Sequence, residues 1–86
     1  MATRVTLLTR ADCALCDQAK AVLARVADDH PLIVDQVDLA TTDGAAIAAR
    51  AGVMFPPGLL LDGEPFSYGR LSERKLRRAL SRRPHV

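Results

Sequence analysis

Residues 9–17 read Thr9-Arg10-Ala11-Asp12-Cys13-Ala14-Leu15-Cys16-Asp17, and here a short apolar run gives way to a Cys-x-x-Cys pair and a helical pattern. Because Cys13 and Cys16 are three residues apart at the opening of a helix, they lie on one face about one turn apart and can close a disulfide with little backbone movement. The helix N-terminus supplies unpaired N–H groups and a partial positive charge, which stabilise the thiolate of Cys13. The spacing therefore predicts a reversible two-electron switch.

Length and composition predict one globular domain, residues 1–86, in the cytoplasm. The apolar fraction of 49% and the charged fraction of 26% are typical of ordinary globular proteins and exclude a disordered chain. The N-terminus lacks a secretory apolar core, and no apolar run approaches the ~18 to 20 residues that a membrane span needs. In a reducing compartment, two lone cysteines are more often catalytic or metal-binding than a permanent disulfide.

The net charge is only +2, but the basic residues are concentrated at one end of the chain. Residues 1–69 contain five Lys and Arg against nine Asp and Glu, whereas residues 70–86 contain seven against one. We interpret the basic segment as a solvated helix face, which can also attract anionic partners. Nucleic acid is not an expected partner, because the chain has three aromatic residues and no recognisable reader motif.

Apolar periodicity and turn signals predict seven elements: strand 4–9, helix 17–27, strand 32–39, helix 45–51, strand 59–61, strand 65–68 and a last helix capped by Ser72. The first helix has one apolar stripe, formed by Cys16, Ala19, Val22, Leu23 and Val26. Helices link the first three strands and a hairpin links the last two. The pattern therefore predicts an α/β fold, a mixed four-stranded sheet flanked by three helices in the order βαβαββα.

Three local signals refine this prediction. The continuous Leu32-Ile33-Val34 run is typical of a strand covered on both faces. Residues 42–44, Thr-Asp-Gly, offer an N-cap for the second helix. Asp62-Gly63 is a strong hairpin turn, which makes 65–68 the returning edge strand.

Three segments together match a known pattern. The first is the strand, loop and Cys-x-x-Cys of residues 7–17, and the second is Gly52-Val53-Met54-Phe55-Pro56-Pro57-Gly58-Leu59-Leu60-Leu61. The third is the run Gly69-x-Leu71-Ser72, followed by Leu76 and Leu80. In this order they resemble the thioredoxin and glutaredoxin superfamily, in its small glutaredoxin-like form, over almost the whole chain. In that superfamily the second segment carries a cis-proline opposite the cysteines.

The resemblance implies a dithiol-disulfide oxidoreductase in which Cys13 is the nucleophile and Cys16 resolves the mixed disulfide. Independently, Cys13 is expected to be the more exposed of the two, because Cys16 lies on the core-facing stripe. Arg10 can further stabilise the Cys13 thiolate, whereas Asp12, expected to cap the helix, places a like charge beside it. The sequence does not decide which of these two effects is larger.

The gapless match implies that Pro57 is the cis residue. Pro56 then offers only its carbonyl to a substrate that docks as an extended strand. If Pro56 were cis instead, Phe55 would keep its N–H as a donor. The predicted substrate-binding residues are Arg10, Phe55, Pro56, Pro57 and Gly69.

Departures from the family pattern leave the substrate open. Asp12 precedes the cysteines and Ala14-Leu15 lie between them, while residues 68–73 replace the segment with which glutaredoxins hold glutathione. We therefore expect no tightly bound cofactor and leave glutathione open as a co-substrate. The expected partners are a disulfide-bearing protein or a glutathione mixed disulfide and a reductase that donates electrons; neither membrane nor nucleic acid is expected to bind, and the protein is expected to be a monomer.

Two other function classes compete with the oxidoreductase. Small metal carriers also place Cys-x-x-Cys after a first strand, but one Cys pair supplies only two of the four ligands that zinc requires, and His30 and His85 show no ligand spacing. We therefore predict no metal site. The third class is a thioredoxin-like binding module whose cysteines are incidental.

Overall fold

The computed structural model describes residues 2–83. Within this range the elements are β1 (Thr3–Thr9), α1 (Ala14–Ala27), β2 (Leu32–Asp38), α2 (Thr42–Ala51), β3 (Gly58–Leu61), β4 (Glu64–Tyr68) and α3 (Glu73–Arg82). The sheet has the order β2-β1-β3-β4, with β1 parallel to β2 and β3 antiparallel to both β1 and β4. The predicted fold class and element order are confirmed. No helix among these residues is long and apolar enough to cross a membrane.

The hydrophobic core lies between one face of the sheet and the helices α1 and α3. Val5 and Leu7 of β1 point into this core, whereas Leu8, which is also fully buried, lies on the opposite face of the sheet, as the two-residue period of a strand requires. The predicted stripe of α1 is buried at every position. The remaining core residues come from β3 and from the last part of the chain: Leu59, Leu61, Leu71, Leu76 and Leu80. Burial on this face fixes α1 and α3 side by side on the sheet.

Two local predictions were wrong. The Leu32-Ile33-Val34 run is not covered on both faces, because β2 is an edge strand, and Ile33 and Val34 are 47% and 39% exposed. The second helix is capped one residue before the predicted segment, since the Thr41 hydroxyl accepts a hydrogen bond from the Gly44 N–H at 3.0 Å. This earlier cap lets α2 begin at Thr42.

The predicted hairpin turn is confirmed and is tied to two distant parts of the chain. Asp62 and Gly63 both have positive φ, +49° and +83°, as the tight turn between β3 and β4 requires. The Asp62 carboxylate accepts a hydrogen bond from the Arg4 N–H at 2.9 Å and pairs with the Arg83 guanidinium. These two interactions, of which the bond from Arg4 has the larger effect, hold the pKa of Asp62 below its ordinary value.

Charged side chains join α1 to α3 at the surface of the core. Arg25 donates two hydrogen bonds to one Glu73 oxygen, at 3.0 and 2.9 Å, and Arg77 donates to the other oxygen at 3.0 Å. Arg77 also donates to the Asp29 carboxylate at 2.7 Å. Hydrogen bonds from Arg25, and then from Arg77, hold the pKa of Glu73 below its ordinary value. The carboxylate form of Glu73 is therefore favoured by folding.

Glu73→Gln is expected to make the melting temperature fall less steeply as the pH is lowered from neutrality. A pKa that is lower in the folded state gives stability that is complete above the unfolded pKa and is lost as the pH falls through the folded pKa. Melting temperatures measured between neutral pH and about pH 3 should show the variant slightly less stable near neutrality, since exposed ion pairs contribute little, and equal to the wild type in acid. Glu64→Gln is the matched control, because Glu64 has no arginine partner within residues 2–83. Parallel profiles for the wild type and Glu73→Gln would contradict this assignment.

Candidate redox site

Cys13 occupies the N-cap of α1. Its backbone is extended, with φ −119° and ψ 104°, and its Sγ accepts a hydrogen bond from the Cys16 N–H at 3.1 Å. The prediction that Asp12 caps this helix was wrong, because Asp12 lies one residue before the cap, with φ +54° and an exposed side chain. The sulfur thus takes the place of the usual capping oxygen and satisfies one of the unpaired donors at the helix start.

The two cysteines are joined by a disulfide and differ in exposure. Their Cα atoms are 5.2 Å apart, within the range that a disulfide requires. Cys16 is 1% exposed and faces the core, whereas Cys13 is partly exposed. The predicted difference in exposure is confirmed: a molecule approaching from solvent meets Cys13 before Cys16.

The proline loop lies at the same end of the sheet as the cysteine loop. Leu8 pairs with Gly58, so the residues that follow β1 and those that precede β3 leave the sheet together. The peptide bond between Pro56 and Pro57 is cis, as predicted from the resemblance, and both prolines are buried. The Pro57 carbonyl accepts a hydrogen bond from the Gly69 N–H at 2.8 Å, which ties this loop to the segment before α3.

Aromatic side chains form the exposed part of the proline loop. Phe55 is 54% exposed and packs edge-on against Tyr68, with ring centroids 5.0 Å apart. Met54, beside it, is 76% exposed. Gly69 lies directly against the Phe55 ring, since a Cβ built on Gly69 would be 2.8 Å from Phe55 Cε2. Exposed apolar side chains of this kind mark a surface that can contact another molecule.

The structure therefore divides the predicted site residues into two groups. Phe55, Pro56, Pro57 and Gly69 are joined by direct contacts in and around the proline loop. Arg10 belongs to the cysteine loop, where it is exposed three residues before Cys13. The pairing of β1 with β3 connects the two groups.

Within residues 2–83, no group of three or more His, Cys, Asp or Glu side chains is placed to hold a metal ion. His30 therefore belongs to no such group. His85, for which the sequence shows no ligand spacing, lies outside the described residues, as does the end of the basic segment, residues 84–86.

A family model described as glutaredoxin-like domain (DUF836) matches residues 4–81. The chain belongs to this family. Its relatives include the uncharacterized protein Rv0508 of Mycobacterium tuberculosis, which is 34% identical over 82 residues that cover 92% of this chain and 84% of the relative. The uncharacterized protein Mb0520 of Mycobacterium bovis shows the same identity and coverage.

Solved structures similar to this glutaredoxin-like domain are thioredoxins. A mutant thioredoxin from Halobacterium salinarum has a TM-score of 0.69 and 24% identity, covering 92% of this chain and 72% of its own. Oxidized mitochondrial thioredoxin 3 from Saccharomyces cerevisiae has a TM-score of 0.68 and 18% identity, covering 92% and 76%. At this identity the likeness shows the thioredoxin-like fold. A disulfide-forming pair of cysteines in this fold suggests a redox function.

One contact of this glutaredoxin-like domain was not predicted. The Gln18 side chain donates from Nε2 to the Leu71 carbonyl at 3.0 Å and accepts from the Leu71 N–H at 3.2 Å. It thus pairs with the backbone as a neighbouring strand would, and it joins the cysteine helix to the segment that carries Gly69. In the sequence Gln18 is one polar residue among others on a helix, so no local signal identifies its partner 53 residues away.

Gly69→Ala is expected to displace Phe55 as well as destabilise the protein. Gly69 has φ +78°, a conformation that costs other residues about 1 to 2 kcal/mol, and the added Cβ would overlap the Phe55 ring. Because Tyr68 is the only tyrosine and the chain has no tryptophan, near-ultraviolet circular dichroism of tyrosine reports directly on the contact between Tyr68 and Phe55.

Gly63→Ala is the matched control for this prediction. Gly63 has φ +83°, but a Cβ added there would have no atom within 4 Å, so the variant should lose similar stability and keep the tyrosine signal. A tyrosine signal that changes equally in both variants would contradict the proposed contact.

Proposed function

We propose that this protein is a thiol–disulfide oxidoreductase in which Cys13 attacks and Cys16 resolves. The observation that carries the proposal is the position of Cys13. It is the N-cap of a 14-residue helix, its sulfur already accepts a backbone N–H, and it is partly exposed while Cys16 is buried. A helix N-terminus and a donated hydrogen bond both favour the thiolate, which is the form that attacks a disulfide.

In the proposed reaction the reduced protein transfers two electrons and two protons to its substrate. The Cys13 thiolate attacks one sulfur of the substrate disulfide, so that a mixed disulfide forms and the first substrate thiol leaves. The Cys16 thiolate then attacks the Cys13 sulfur and releases the second thiol. The protein is left with the Cys13–Cys16 disulfide that the structure contains. Two molecules of glutathione or a reductase with its own electron donor would return it to the dithiol.

The proposed substrate surface combines the cysteine loop with the proline loop. Pro56 and Pro57 have no N–H to donate, and the Pro57 carbonyl is already bonded to Gly69. Because both prolines are buried, an extended substrate would therefore meet the exposed ring of Phe55 rather than a full set of backbone donors and acceptors. This favours a protein disulfide or a glutathione mixed disulfide presented by an apolar segment.

A redox titration with an electron-donor assay tests the proposal. The Cys13–Cys16 disulfide should form and reverse at a potential between about −270 and −120 mV, the range of catalytic dithiols, and the reduced protein should reduce insulin and 2-hydroxyethyl disulfide. Comparing glutathione and its reductase with a thioredoxin reductase identifies the donor. A potential below about −300 mV would indicate a structural disulfide and contradict the proposal. Metal that copurifies stoichiometrically and is lost in Cys13→Ser would contradict it as well.

A further inference from the structure

We propose that the outer face of α3 docks an acidic patch on the disulfide-bearing partner protein. This surface, the arginine stripe, consists of Arg70, Arg74, Arg78 and Arg82. The inference rests on the proposed function and deepens it, because it names the chemistry of the protein whose disulfide reaches Cys13.

The arginine stripe faces solvent. Its members recur every four residues, and all are exposed. Arg74, Arg78 and Arg82 lie within α3, where this spacing places them on one side of the helix over about 12 Å. The leucines of α3 are buried in the core. The stripe is therefore available to a second molecule.

The fold itself does not use these guanidinium groups. Arg25, Arg77 and Arg83 are each held by a carboxylate of this chain, whereas the stripe has no carboxylate partner within residues 2–83. Like charges four residues apart on a helix repel each other and destabilise it. Ion pairing within the described residues thus does not account for the stripe, whereas an external anionic surface would complement its charge.

The arginine stripe begins beside the proposed substrate surface. Arg70 directly follows Gly69, which contacts the Phe55 ring and is hydrogen-bonded to Pro57. The exposed side chains of Met54, Phe55 and Tyr68 therefore lie next to Arg70, the member of the stripe that precedes the N-terminal end of α3. A protein seated on this surface would place an apolar segment on Phe55 and its acidic residues over α3. Such charge complementarity increases the association rate and fixes the orientation of the partner.

The observations favour an acidic protein over a nucleic acid. Asp12 and Asp17 are exposed on either side of the cysteines and outnumber the exposed Arg10, so residues 10–17 carry a net charge of −1 while the α3 side is positive. A protein can confine its acidic residues to the α3 side. A phosphate backbone is negative along its whole length and would be repelled where it crosses Asp12 and Asp17.

Two disulfide peptides test the inference, one with glutamates and one with lysines around the same cyclic disulfide. We expect the wild type to reduce the acidic peptide with a kcat/KM at least about 10-fold above that for the lysine peptide at low salt. The double variant Arg74→Glu/Arg78→Glu should lower this ratio at least about 10-fold. Raising the salt from about 20 to about 500 mM shortens the screening length from about 20 Å to under about 5 Å. At the higher salt, the wild type and the double variant should therefore show similar kcat/KM ratios.

The control variant is Lys20→Glu/Arg50→Glu, which changes the net charge equally but alters exposed cations of α1 and α2. It should keep the wild-type ratio. An equal fall of the ratio in both variants, or a ratio that the stripe variant leaves unchanged, would overturn the inference. The inference would also be overturned if duplex DNA bound the wild type at physiological salt and did not bind the Arg74→Glu/Arg78→Glu variant, while the two proteins had the same peptide ratio. Failure of the wild type to reduce 2-hydroxyethyl disulfide would instead overturn the proposed function, and this inference with it.

Discussion

Replacing Cys13 with serine is expected to abolish disulfide reduction, lowering the rate by more than about 10³-fold, as removal of a catalytic nucleophile does. A hydroxyl at this position can still cap α1, because serine is a preferred N-cap residue. The fold should therefore persist while the chemistry is lost. Insulin reduction measures the activity, and the melting temperature of the reduced proteins measures the fold.

Cys16→Ser is the matched variant for Cys13→Ser, because it removes a sulfur that is buried and not the first to meet a substrate. It should still attack a disulfide but fail to release it, so that a mixed disulfide accumulates on Cys13. Mass spectrometry of the protein after incubation with a disulfide substrate detects this adduct. A Cys16→Ser protein that forms no adduct, or a Cys13→Ser protein that forms one, would reverse the assigned order of attack.

Leu76→Ala is expected to cost about 2 to 5 kcal/mol of unfolding free energy, the range for leucine truncations in well-packed cores. Leu76 is 0% exposed and belongs to the core cluster that holds α3 against the sheet. At about 4 to 8 °C per kcal/mol for a domain of this size, the melting temperature should fall by at least about 8 °C.

Lys75→Ala is the control for this prediction, since the neighbouring Lys75 is exposed on the same helix. It should change the unfolding free energy by less than about 0.5 kcal/mol, as surface substitutions usually do. Guanidinium chloride unfolding of the oxidised proteins measures both values. Similar losses in the two variants would contradict the assignment of the Leu76→Ala loss to core packing.

The helices could be predicted from the sequence because their burial follows local periodicity. All five stripe residues of α1 are buried, and Ser72 caps α3 by accepting a hydrogen bond from the Lys75 N–H at 3.2 Å. The exposure of β2 could not be predicted in the same way. A run of three apolar residues is compatible with a central or an edge strand, and the order of strands in the sheet depends on long-range pairing that no local pattern contains.

The sequence identified residues of the candidate site but not the hydrogen bonds that they form. Cys13, Cys16 and Pro57 were identified from their spacing and from the family resemblance. The capping role of the Cys13 sulfur was missed because Asp12 is the more usual capping residue. The pairing of Gln18 with Leu71 was missed because a glutamine on a helix has no sequence feature that indicates a backbone partner.

The two rims of the sheet differ in their capacity to accept another polypeptide. At the outer rim of β4, Pro65 has no N–H, and the pairing register with β3 shifts between Leu59 and Leu60. The outer rim of β2 has no proline, keeps a regular seven-residue ladder with β1 and exposes Ile33 and Val34. Of the two edges, that of β2 is therefore the one better suited to pairing with a foreign strand.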